Sequence, residues 1–107
     1  MLTFKRGNES NKPYAKSQAT QLIKSIARNG SVRPTKHSKQ RMQERNITMQ
    51  DVLYAFRNGR VINEPELDIR TNRWKYNITG NGIDAKNITV TTDINEKENF
   101  ILIITVF

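Results

Sequence analysis

Apolar side chains recur along this chain in two rhythms, and the change between them falls near Gly59. Between Ser17 and Asn29 the set Ala19, Leu22, Ile23, Ile26 and Ala27 follows the i, i+3, i+4, i+7, i+8 spacing of an amphipathic helix, with Ser17 as its cap and Asn29-Gly30 as its stop. A second helix is expected from His37 to Asn46, set off by Pro34 and capped by Thr35, yet Met42 is its only apolar residue. Such a helix is either loosely packed on the surface, or held by the alkyl stems of Arg41 and Arg45 while their heads face a cleft. The second reading is preferred. Thr48 then caps a third helix, with Asp51 at N3 as a variant capping box and Met49, Val52, Leu53 and Phe56 as its core stripe, and Asn58-Gly59 ends it.

Beyond Gly59 the period drops to two. Val61 to Glu64 reads as a short strand, and Pro65 to Asn72 as a polar loop in which Leu67 and Ile69 could add a weak one. In Arg73 to Thr79, Trp74, Tyr76 and Ile78 alternate with polar residues, as in a half-buried strand. Gly80-Asn81-Gly82 is expected to turn the chain into a strand over Lys86 to Asp93, and Asn95 to Asn99 to turn it again. Phe100 to Phe107 is almost wholly apolar, which predicts a central strand covered on both faces. The expected architecture is α+β, with N-terminal helices packed on one face of a three- to four-stranded antiparallel sheet. Residues 1–16 read as a mobile basic arm and residues 17–107 as a single domain.

Composition narrows the function. With no cysteine in 107 residues, disulfides, thiolate catalysis and cysteine-held metals are excluded. One histidine and scattered carboxylates give metal or small-molecule cofactors little support, so none is expected. No apolar run suits a membrane span or a signal peptide, which points to a cytoplasmic protein without a membrane partner.

The net charge of +8 is unevenly spread: residues 1–36 carry eight basic groups against Glu9 alone, whereas residues 37–107 carry ten basic and nine acidic groups. A cationic segment of this kind attracts a polyanion, because phosphate neutralisation releases condensed counterions. An acidic protein partner fits it too, and so does a solvated tail that merely aids solubility. On the first of these readings RNA is held by Lys12, Lys16, Lys24, Arg28, Arg33 and Lys36. Arg73 and Lys75 add cations on the sheet, where Trp74 and Tyr76 could stack on bases.

The chemical signal is concentrated in His37-x3-Arg41-Met42-x-Glu44-Arg45-x-Ile47. On a helix, His37, Arg41, Glu44 and Arg45 fall within about a 100° sector, placing a group that titrates near neutral pH beside two permanent cations. Metal-free RNA cleavage needs a proton acceptor for the 2′-hydroxyl, cations for the phosphorane and an acid for the leaving oxygen. His37, Arg41 and Arg45 are accordingly the catalytic candidates, and Glu44 either orients His37 or pairs with a basic neighbour.

That run, followed by Asp51-Val52 and by Asn58-Gly59 before a strand, resembles the family called domain of unknown function 4258 over roughly residues 35–107. The family is similar to RelE-like and barnase-like toxin folds. The resemblance implies a toxin-type, metal-independent endoribonuclease acting on RNA, ribosome-associated mRNA included, and neutralised by an acidic antitoxin. Its motif carries over onto His37, Arg41, Glu44, Arg45 and Gly59. The alternative is a noncatalytic RNA-binding or protein-partner-binding module on the same fold. A third reading is a toxin domain delivered to other cells.

Overall fold

The computed structural model describes residues 12–107. The chain runs α1 (Lys16–Asn29), β1 (Ser31–Pro34), α2 (Lys36–Arg45), α3 (Met49–Asn58), β2 (Arg60–Val61), β3 (Glu66–Asp68), β4 (Arg73–Asn81), β5 (Asn87–Asn95) and β6 (Phe100–Val106). The fold is α+β. Among the described residues the sheet has six strands and is mixed, in the order β1-β6-β5-β4-β2 with β3 on β4, where three or four antiparallel strands were expected. The strand the pattern did not announce is β1, whose four residues lie parallel to β6 with Val32 opposite Ile101. Four residues with a single valine carry too short an alternation to read, and the strand exists because β6 offers it an edge.

The helices are built as their ends require. Ala15, not Ser17, is the N-cap of α1 and gives it no side-chain hydrogen bond. Thr35 caps α2 by accepting from Ser38 N, and also donates its hydroxyl to Ile103 O at 2.8 Å, tying the start of the helix to β6. At the far end Asn46 takes a left-handed conformation (φ 58°) and Ile47 N returns to Met42 O at 2.8 Å. These ties, with buried Ser38, Met42 and Ile47, secure a helix that has no greasy stripe. Arg41 is half-buried and Arg45 exposed. In α3 both halves of the capping box are present between Thr48 and Asp51.

The core lies between the helices and one sheet face, where Ile23, Val52, Phe56, Ile78, Ile88, Val90, Ile101, Ile103 and Val106 are all fully buried. On β6 the alternate residues Phe100, Leu102 and Ile104 are only half-buried, so among the described residues one face of this strand is covered rather than two. Gly80 does not turn the chain. It lies inside β4 opposite Ile88, and a Cβ there would sit 2.6 Å from Ala55 O and 2.7 Å from Asn58 Oδ1. The glycine allows α3 to rest directly on the strand. The turn follows it, with Ala85 at φ 68° and Gly82 N bonded to Lys86 O.

Candidate functional site

Strand β4 changes partners along its length. From Tyr76 to Asn81 it pairs in register with Asn87 to Thr92 of β5, but from Arg73 to Lys75 it pairs only with β3. On the other side of the gap, Asp93 to Asn95 of β5 pair with β6. The two strands therefore fork beyond the Tyr76–Thr92 pair, and a cleft of about 600 Å³ lies at the fork. Its walls include Trp74 and Tyr76 of β4, Asp93 and Asn95 of β5, Glu96 and Lys97 of the next turn, and Lys12 and Tyr14 from the segment before α1.

A fork leaves backbone and charge to be satisfied by side chains. Arg73 does this with a two-pronged grip on Asp93, Nε reaching Oδ2 at 2.8 Å and a terminal nitrogen reaching Oδ1 at 2.8 Å, while the same nitrogen donates to Ile94 O at 3.3 Å. The hydrogen bonds to Asp93 raise the pKa of Arg73 further. Tyr14 crosses the opening. Its backbone N–H donates to the Tyr76 hydroxyl at 2.8 Å, its own hydroxyl donates to Glu96 Oε1 at 2.9 Å, and the two rings lie 5.8 Å apart at 36°. Burial first, then the bond to Glu96, pushes the Tyr14 phenol up to about 12, and burial likewise raises Tyr76. Both phenols are neutral at pH 7.

The RNA-binding candidates divide among several places. Lys12, Arg73, Trp74 and Tyr76 line the cleft. Lys75 pairs with Asp68 at 3.1 Å and Lys16 with Glu64 at 3.1 Å. Lys24 donates to Arg57 O at 2.6 Å and Phe56 O at 3.3 Å, completing the end of α3, and burial lowers its pKa. Arg33 stacks over Phe100 at 3.9 Å, while Arg28 and Lys36 are exposed. Of the segment expected as an arm, residues 1–11 lie outside the described residues; the remainder brings Lys12 and Tyr14 to the cleft and starts α1 at Lys16.

The catalytic candidates stand elsewhere. α2 leaves β1 beside Ile103 and Ile104, whereas the cleft opens next to Asn95, the partner of Phe100, so about 13 Å of strand separates the two. None of His37, Arg41 or Arg45 lines the cleft. The side chains of His37 and Arg45 are exposed and make no hydrogen bond or ion pair within the described residues, and Arg41 pairs with Glu44 at 3.2 Å. The other motif residues serve the fold. Asn58 clamps Asn81 by accepting its N–H at 2.8 Å and donating to its carbonyl at 2.9 Å, and Asp51 Oδ1 accepts from Ile83 N at 2.9 Å. The N–H of Thr48, then that of Ile83, hold the Asp51 carboxyl below its ordinary range.

Sequence patterning missed Tyr14, Asp93 and Glu96. Tyr14 was an aromatic in a stretch without periodicity, and the other two lay at a strand end and in a polar turn. Only the fork brings them together.

Over residues 35–107 the chain matches the family model described as a domain of unknown function (DUF4258), and it belongs to that family. The match takes in α2, α3 and every strand from β2 onward, so the floor of the cleft is within it while Lys12 and Tyr14 are outside. No curated protein and no solved structure matches the chain. No helix of the described residues is long and apolar enough to cross a membrane.

Proposed function

We propose that this protein binds single-stranded RNA in the cleft at the β4–β5 fork. The observation that carries the reading is the gathering of the half-buried Tyr14 and Trp74 with Lys12 and Lys97 around one cavity, over the buried ring of Tyr76. Unpaired bases stack on aromatic rings whatever their sequence, and cations beside them hold the backbone. The charge of +8 adds long-range attraction. The test is the salt dependence of binding to a labelled oligoribonucleotide. Replacing Lys12 and Lys97 together by alanine should flatten the slope of log affinity against log salt by about two, with thermal unfolding unchanged. A slope equal to that of the unaltered protein would overturn the reading.

A second reading has its own support, in that the His37 side chain stands exposed on the same helix as Arg41 and Arg45 and makes no bond among the described residues. The family resembles RelE-like and barnase-like toxins, many of which cut RNA without metal and are neutralised by an antitoxin, although no catalytic position of those toxins matches a motif here. On this reading, drawn from the residues of α2 themselves, His37 moves the proton from the 2′-hydroxyl and the two arginines stabilise the phosphorane. RNA should then be cleaved in the presence of a chelator, and His37→Ala should abolish cleavage while leaving binding intact. No cleavage between about pH 5 and about pH 9 would leave the binding module alone.

A further inference from the structure

The sheet face turned away from the core carries a cation that the fold holds in place without pairing. Val32 of β1 packs toward the core beside its partner Ile101, so alternation turns Arg33 and its partner Leu102 to the other face. There the Arg33 guanidinium rests over the Phe100 ring, 3.9 Å from the centroid. The residue is exposed, and its side chain makes no hydrogen bond or ion pair among the described residues. Asp93, across Leu102 from it, is already gripped by Arg73, and Glu96 accepts from Tyr14. An arginine seated this close on a ring loses side-chain freedom, while the N–H donors at its edge stay open to an acceptor.

This group stands next to the cleft. Phe100 pairs with Ser31 on one side and with Asn95, a cleft wall, on the other, so the ring under Arg33 is one strand spacing, about 5 Å, from the rim. The turn at 96–99, which brings Lys97 to the cleft, is fastened to the start of the same strand. Asn99 O accepts from Ser31 N at 3.1 Å, and Asn99 Nδ2 donates to Asn29 O at 3.3 Å. Gly30 lies so close that a Cβ there would strike Asn99 O. Lys97 and Arg33 are therefore carried on one anchored corner of the sheet.

Resting on the RNA-binding reading above, we infer that Arg33 is a phosphate clamp, which takes a phosphodiester of the same strand where the RNA leaves the cleft past Lys97 and turns onto the uncovered face of β6 and β1. A phosphodiester offers two non-bridging oxygens, and one guanidinium can hold both with parallel N–H donors. The ring beneath lowers the cost of ordering the arginine for that contact.

The test is the anisotropy of a labelled single-stranded oligoribonucleotide of about ten nucleotides, titrated with the full-length protein at several salt concentrations. Arg33→Ala should weaken binding and flatten the slope of log affinity against log salt by about one, with thermal unfolding unchanged. Arg33→Lys should keep the slope yet bind about five-fold more weakly, because an ammonium attracts the phosphate without the two-pronged grip. Phe100→Leu, which removes the support and leaves the charge, should likewise weaken binding at constant slope. An Arg33→Ala protein with an unmoved slope, or an Arg33→Lys protein that binds as tightly as the unaltered one, would overturn the clamp. Lower thermal stability in Arg33→Ala with the slope unmoved would return Arg33 to the role of covering Phe100. If the Lys12 and Lys97 double variant flattens the slope and Arg33→Ala does not, the clamp alone is lost. Unaltered protein that fails to bind the oligoribonucleotide loses the RNA reading as well.

Discussion

At its C-terminal end β4 runs in register with β5 beneath α3, so closely that Gly80 has no room for a Cβ; at its N-terminal end the same strand has left β5 and faces a cleft. The first end is closed by apolar packing and backbone clamps: Phe56 and Ile78 are fully buried, Asn58 grips Asn81, and Asp51 holds the turn at Ile83. The second is closed by polar side chains reaching across a gap, chiefly Arg73 to Asp93 and Tyr14 to Glu96. Packed ends are hard to open, since every methylene removed leaves a void. Polar bridges over a cleft contribute less to stability, and ligand atoms can take their places. One strand thus carries a fold-bearing half and a half available for binding.

The contrast can be broken most severely from the packed end. Phe56→Ala should lower stability by about 3–5 kcal/mol, read as a fall in the urea midpoint. Gly80→Ala comes next, at about 1–3 kcal/mol, because the new methyl meets backbone and a clamping side chain rather than a flexible tip. Asp51→Asn should cost about 1 kcal/mol near neutral pH as a lost cap. Its pH dependence has a definite sign. The folded pKa of Asp51 lies below the unfolded one, so its contribution is present above the unfolded value and is lost as pH falls through the folded value. The difference between Asp51→Asn and the unaltered protein should therefore shrink as pH drops below about 4. The smallest effect on stability is expected at the fork, where Arg73→Ala breaks a half-exposed pair and should cost about 1 kcal/mol or less while weakening RNA binding. A Gly80→Ala protein that binds RNA normally once folded, beside a stable Arg73→Ala protein that does not, would sharpen the division between the ends.

The packed end was legible in the sequence. The helical stripe of α3, its capping box, its Asn58-Gly59 stop and the alternation of β4 all announce themselves through local spacing. Gly80 was not, since a glycine beside asparagine and a second glycine has the chemistry of a turn, and only the approach of α3 reveals its packing role. The fork left part of itself in the pattern: Trp74 and Tyr76 alternate with Arg73 and Lys75 and stood among the candidates. Its other half could not be read, because Tyr14 and Glu96 are 82 residues apart and meet through register rather than spacing. The motif of α2 was legible as a constellation, and its helix and Thr35 cap formed as expected. The pattern did not tell that α2 starts beside Ile103 and Ile104, while the cleft opens near Phe100 at the beginning of β6.

The central claim is that RNA is engaged at the fork of β4 and β5, and amide chemical-shift mapping with an isotopically labelled protein and an oligoribonucleotide tests it most directly. The account predicts shifts concentrated at Lys12–Tyr14, Arg73–Tyr76 and Asp93–Lys97, with α2 little changed. Shifts concentrated between Lys36 and Arg45, with the fork unaltered at saturation, would contradict it.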